Sequence, residues 1–597
     1  MSSRPRTAQE FIHWLELGGG ARWIRLAAVL VGTLVLSLLV AWKQFHGPVS
    51  ERTLAQADVG RQLARGEGFS TLVNYPQTAA FLRARGLRFD PARPYPELHQ
   101  APLYPLVIAG ALRALPSSAR EGLFAKPPEP PDGFAADYFL LGLNLVLLWL
   151  AAWLTFSLAR RLFGPPAGWL AALALLLSVT VWQQTVVVNG TPLLMVLALL
   201  AFHAWLSVEE NADGSGRARF VGLCALGVAC GLLFLADYPA GMLVVVALAY
   251  AGWRFAARAR AAAIALVATS FLLVVSPWII RNLALTGSPV ALAWQDIALK
   301  VGDTTAEPAT IRATLSDAAP EISLTKLGNK ILTTLQETIK NRLWSGGAFW
   351  FAAFFVVGWL YRFRAPAANR LRWVFTAALA LLLLAQGAFD SGEGERLVST
   401  WCAPLLIVFG AGFFFVLLGS NAALASWPRA PAVALLVLQG LPLIHDALEP
   451  RRIHFQYPPY FPALFTGMKQ ELARRDAAGR FGLMADVPAG LAWYAQTRVW
   501  AQPPKLRDFY ALTLEQPIGE LLLTPRTLDR PFFSELNAGA ALPHALRAVP
   551  NRHGEWGDIY AGLLTGQIPR EFPLGASQKI AENLYVLLNP ALPPPRP

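Results

Sequence analysis

Eleven apolar runs set the terms on which this chain folds. They lie near residues 26–42, 138–157, 167–188, 191–207, 220–236, 239–255, 262–280, 348–361, 373–389, 397–418 and 431–447. A bilayer core asks a helix for about 20 consecutive apolar residues. Backbone groups in lipid must be satisfied within the segment, so each run predicts a spanning helix. Only 15% of the residues are charged and 55% are hydrophobic, whereas soluble domains carry about 25% charged residues. The expected class is an α-helical polytopic membrane protein of about eleven transmembrane helices.

The formal net charge of +13 would suggest nucleic acid in a soluble protein. Here topology explains it, and no nucleic-acid partner is expected. With the N-terminus in the cytoplasm, the inside segments carry Arg22 and Arg25, Arg160 and Arg161, Arg217 and Arg219, Arg254, Arg258 and Arg260, then Arg362, Arg364, Arg370 and Arg372. The short outside loops carry Asp237 and the run Asp390, Glu393, Glu395, Arg396. Alternate loops thus follow the positive-inside rule. The expected location is the bacterial cytoplasmic membrane, with the C-terminal region outside. The first apolar run has no small-residue cleavage site, so it reads as a retained anchor.

This topology divides the chain into a cytoplasmic segment 1–25, a membrane domain 26–450 and an extracytoplasmic α/β domain 451–597. The first segment holds FIHWLEL, a short amphipathic piece for the inner surface. Two long outer loops, 43–137 and 281–347, interrupt the membrane domain. In the last region FGLMADV, ELLLT and NLYVLLN read as strands. Cys224, Cys230 and Cys402 all lie in apolar runs and form neither a disulfide framework nor a zinc cluster.

Loops longer than about 12–15 residues are usually functional or disordered, and the first loop is too apolar for disorder. Leu54, Ala57, Leu63 and Ala64 recur at helical spacing over Glu51–Arg65, with Gly66 and Gly68 as a stop. Glu51, Asp58 and Arg61 fall on or near one side of that helix. Further on, Pro96, Pro102 and Pro105 precede a short apolar helix, read as re-entrant or interfacial. Glu97, His99, Gln100 and Tyr104 gather at its start, where a lipid headgroup would sit; the plainer reading is a wet, solvated loop. Asp237 and Tyr238 form an outer turn. Arg281 emerges at the outer face, either paired with a carboxylate or phosphate or snorkelling at the interface. Arg396 stands at the outer entrance of a late span.

The PLYP helix, ARRLFG after the second span, PWIIRNLALTGSP and the Glu395-Arg396 pair before a late span, in that order, resemble the GT-C glycosyltransferases. Within them the chain looks closest to bacterial family 39-like enzymes similar to aminoarabinose transferases and protein O-mannosyltransferases. The resemblance spans roughly 26–420. It implies a GT-C-like membrane domain that moves a sugar from a polyprenyl-phosphate donor to a lipid, glycan or protein acceptor of the envelope. A first-loop carboxylate would be the base, and arginines would stabilise the phosphate left behind. The family carries an acid pair right after span one, where this chain reads Ser50-Glu51-Arg52 with Asp58 further on. Either Asp58 or Glu51 would therefore be the base, with Asp58 favoured. Gln100-Ala101-Pro102 replaces the family's Lys-Pro-Pro, leaving His99 to compensate. No ligand spacing argues for a metal, and a divalent ion near Asp58 stays open. The alternatives are a non-catalytic envelope scaffold and a lipid or solute transporter. A transporter predicts polar mid-span residues and repeats, of which His203 is nearly all the sequence offers.

Overall fold

The computed structural model describes residues 19–48, 50–87, 90, 93–125, 134–211, 216–298, 312–317, 322–389, 396–420, 429–449, 462–528, 556–570, 572–581 and 584–594. FIHWLEL and the acids Asp390, Glu393 and Glu395 lie outside these residues.

All eleven apolar runs form helix, but not all are of spanning length. Among the described residues, eight helices are long and apolar enough to cross a membrane. A ninth arises if Pro165–Leu176 and Val179–Val186 count as one span bent by 53°. The bend falls at Ser178, whose hydroxyl accepts from the amide of Val181 and restarts the helix. The runs near 239–255 and 348–361 give helices of only 12 and 10 residues, Leu243–Arg254 and Phe349–Gly358. Thr191–Glu210 and Ala403–Ser420 are the innermost spans, with 83% and 72% of their apolar windows buried. The first span keeps only 11% buried and sits at the edge.

Three short helices and a sheet occupy one end of this bundle. Helix α1 (Glu51–Arg65) starts at Ser50, whose hydroxyl accepts from the Thr53 amide. It stops at Gly66, which takes the left-handed φ of 91° that a side chain would disfavour. Helix α2 (Leu103–Arg113) is the expected short apolar helix, but it begins just after Pro102 and takes Pro105 into its first turn. α1 crosses it at Gly60, where an added Cβ would stand 2.7 Å from Ile108 Cγ2 and 3.1 Å from the Pro105 carbonyl oxygen. Alanine for a mid-helix glycine normally gains about 1 kcal/mol. Overpacking costs about 1–3 kcal/mol, and here one contact is a backbone oxygen, so the clash wins. Gly60→Ala is expected to lower the thermal midpoint of the detergent-purified protein.

The strands are β1 (Ser70–Thr71), β2 (Val73–Asn74), β3 (Tyr95–Pro96), β4 (Gly482–Ala485), β5 (Val499–Ala501), β6 (Ile518–Leu523), β7 (Ala576–Ala581) and β8 (Leu584–Leu588). β1 and β3 pair antiparallel within the first loop. The others form one six-stranded sheet in the order β2-β5-β4-β6-β8-β7. β2, β5, β4 and β6 run parallel, while β8 and β7 are antiparallel additions. The first loop thus contributes the edge strand of the C-terminal sheet, Val73 opposite Val499 and Asn74 opposite Trp500. Helix α3 (Pro488–Ala495) connects β4 to β5 and is buried along its whole length.

Candidate functional site

A cavity of about 60 Å³ opens where α1 meets the ends of the spans Gly216–Ala236 and Pro366–Phe389. Its charged lining is Arg52, Asp237, Asp296 and Arg396, accompanied by His99, Tyr238, Gln386 and Trp401. Asp237 ends one span and lies between two guanidinium groups, Arg52 and Arg396, each 3.5 Å from its Oδ1. Arg396 is 5% exposed and also donates to Gln56 of α1 and to the Ala236 carbonyl. Its φ of 53° is unusual for a side-chain-bearing residue. Such conformations cost about 1–3 kcal/mol and persist only where the surroundings hold them. Buried contacts on two elements hold this one.

Among the described residues, the indole N–H of Trp401 and Nε of Arg52, both at the cavity, have no protein hydrogen-bond partner. Buried donors without partners are rare and costly. A ligand rich in acceptor atoms would satisfy them. Among the described residues, no group of three or more His, Cys, Asp or Glu could hold a metal ion.

The residues expected from the sequence fall into three groups. Asp237, Tyr238, His99 and Arg396 line the cavity. The Tyr238 hydroxyl accepts from Trp278 Nε1 at 2.9 Å and donates to the Gln100 carbonyl. His99 bonds Thr78 through Nε2, and burial beside Arg312 pushes its pKa well below the ordinary value. Burial and the nearby Arg312 charge both disfavour the cationic form of His99.

Gln100, Glu97, Arg281 and Tyr104 are not part of the cavity lining. Gln100 accepts from Gln56 at 3.2 Å, coupling the loop before α2 to α1. Glu97 accepts from the His99 amide at 2.6 Å, and burial raises its pKa. Arg281 donates to the Glu97 and Phe69 carbonyls and lies 4.5 Å from the Trp278 ring. Backbone carbonyls and aromatic faces thus hold it in place. The Tyr104 hydroxyl is spent on Asn144 and the Val188 carbonyl.

Asp58 and Glu51 do not line the cavity. Asp58 is fully buried; its Oδ1 is 2.5 Å from Arg61, and its Oδ2 accepts from the Leu72 amide and the Thr71 hydroxyl. Arg61 in turn donates to the carbonyls of Ala492 and Trp493 at 2.8 and 2.7 Å. Glu51 accepts from the amides of Ala489 and Gly490, at 3.0 and 3.4 Å, in the first turn of α3. Burial raises the Glu51 pKa to about 7, against the lowering by Arg526 and the two amides, while Asp486 adds to the rise.

A pKa raised in the fold means stability present at acid pH and lost as pH climbs through about 7. Glu51→Gln stays neutral throughout. Thermal unfolding from pH 5 to 8 should therefore show the natural protein losing midpoint relative to Glu51→Gln, by a few degrees.

Sequence reasoning passed over Arg52, Gln56, Asp296, Gln386 and Trp401. Arg52 and Gln56 share a helix face at i, i+4, which was legible. The others are brought in by tertiary contact alone.

Residues 140–280 match the family model described as dolichyl-phosphate-mannose-protein mannosyltransferase. No curated protein matches the sequence. Two crystal structures of ArnT from Cupriavidus metallidurans are similar. The one bound to undecaprenyl phosphate has a TM-score of 0.48 at 14% identity, covering 96% of this chain and 99% of that one. The apo form has a TM-score of 0.41 at 16% identity, covering 85% and 94%. The resemblance to GT-C glycosyltransferases carried by the sequence motifs is thus supported, over residues 140–280, by a match to the protein mannosyltransferase family.

Proposed function

We propose that the protein is a membrane glycosyltransferase that takes a sugar from a polyprenyl-phosphate donor and passes it to an envelope acceptor at the outer face of the cytoplasmic membrane. The observation that carries this reading is one cavity at the end of the bundle that holds two arginines around one carboxylate, with unpartnered donors beside them.

In the reaction an acceptor hydroxyl or amine attacks the anomeric carbon. The bond from that carbon to the phosphate oxygen breaks, and its electron pair leaves on the phosphate. The acceptor's proton goes to a carboxylate, and configuration inverts in a single displacement. Arg52 and Arg396 receive the leaving phosphate, whose charge grows as the bond breaks. Asp237 is the carboxylate placed to take the proton. An arriving phosphate competes for its two guanidinium partners and so frees the carboxylate to accept the proton. Asp58 and Glu51, the first-loop acids with the better claim by sequence, are committed to protein partners outside the cavity, and we assign them to the framework.

The test uses the purified full chain in nanodiscs with a panel of labelled undecaprenyl-phosphate sugars and an envelope extract as acceptor. Donor consumption is expected, and Arg52→Ala or Arg396→Ala should raise the donor KM at least ten-fold. If the natural protein consumes none of the panel, the enzyme assignment fails for those donors and the scaffold reading takes its place.

A further inference from the structure

Helix α1 has two faces with different work. A rotation of about 100° per residue puts Arg52 and Gln56 on one face and Glu51, Asp58 and Arg61 on another. The first face serves the cavity: Arg52 reaches Asp237, and Gln56 receives the Arg396 guanidinium. Among the described residues, the second face meets the C-terminal sheet region and other parts of the first loop, where Thr71 and Leu72 bond Asp58 and the Phe124 ring lies 5.5 Å from Arg61.

That second contact matches α3 end for end. Glu51 satisfies amides in the first turn of α3, and Arg61 satisfies carbonyls in its second half. A helix carries about half a positive charge at its N-terminus and half a negative one at its C-terminus. The acid therefore meets the positive end and the cation the negative end. Asp58 holds the Arg61 fork in place. α3 is itself anchored to a span, since Trp493 Nε1 and the Tyr494 hydroxyl donate to Asp137 at 2.9 and 3.0 Å. β2, a few residues beyond α1, is paired into the same sheet at β5.

The two faces are rigidly related because they belong to one helix. From this geometry we infer that Glu51 and Arg61 are positioning residues: by docking α1 on α3, the C-terminal sheet region sets where Arg52 and Gln56 stand in the cavity. The inference rests on the proposed function only for what the cavity binds. It also separates two roles for Glu51. A reactive carboxylate is lost with glutamine, whereas a positioning acceptor survives it in part, because the amide oxygen still accepts from one of the two α3 amides.

The experiment compares Glu51→Ala, Glu51→Gln, Arg61→Lys and the natural full chain in nanodiscs. Arg83→Gln, at the partly exposed pair with Glu515, is the control. Hydrogen exchange is read over 51–65, 237–242 and 396–401, and undecaprenyl phosphate is titrated as the probe. Expected for Glu51→Ala is faster exchange in all three segments and at least ten-fold weaker probe binding, with Glu51→Gln restoring both in part. Arg61→Lys keeps the charge but not the fork, and should give the alanine pattern even if Glu51→Ala fails to fold. Exchange that rises over 51–65 and stays unchanged over 237–242 and 396–401 overturns the inference. So does a glutamine variant as defective as alanine. If the natural protein does not bind the probe, the proposed function is what fails, and the exchange pattern alone still decides the inference.

Discussion

Asp237→Asn is expected to lower sugar transfer by about 10²–10⁴, the range a positioned general base contributes. Asparagine keeps the size and one oxygen acceptor for Arg52 and Arg396, so the cavity should survive. It loses the ability to take the acceptor's proton. The donor KM should therefore hardly move while kcat collapses, the opposite of the arginine variants. Single-turnover assays with a labelled polyprenyl-phosphate sugar would separate the two effects. A kcat within three-fold of the natural protein would move the base to Asp296, the second carboxylate among the described residues that line the cavity.

Asp58→Asn should have its largest effect on stability. Asp58 and Arg61 are 0% and 1% exposed, and the carboxylate also closes the Leu72 amide and the Thr71 hydroxyl. Breaking a buried pair from one side costs about 3–5 kcal/mol, because the remaining charge stays buried without compensation. Asparagine makes this worse by turning an –NH₂ toward the Arg61 guanidinium or the Leu72 amide, which only donate. Thermal unfolding should report a loss of that order, and limited proteolysis should open the first loop. If instead Asp58→Asn unfolds like the natural protein but loses turnover, Asp58 is the base after all.

These two outcomes turn on what the sequence showed and what it hid. Each apolar run became helix because hydropathy and length are local properties. The stop at Gly66 and the short helix after Pro102 were equally local. So were the strands within FGLMADV, ELLLT and NLYVLLN, now β4, β6 and β8. The spacing of Glu51, Asp58 and Arg61 did mark one face of α1. It did not say what that face met, since a helical acid reads the same whether it faces water, a substrate or an arginine three residues on. Trp401 had no signal at all, being one more aromatic in an apolar stretch. β2 is two residues long and exists only because β5 lies beside it.

That last pairing bears on how the protein is made. Val73 waits for Val499, 426 positions later (499 − 73). Chains emerge at about 5–20 residues per second, so the edge strand stands without its neighbour for tens of seconds while the intervening helices enter the bilayer. An unpaired edge invites wrong partners. At two residues, β2 offers them very little to grip, and its brevity protects the nascent chain until the final sheet arrives.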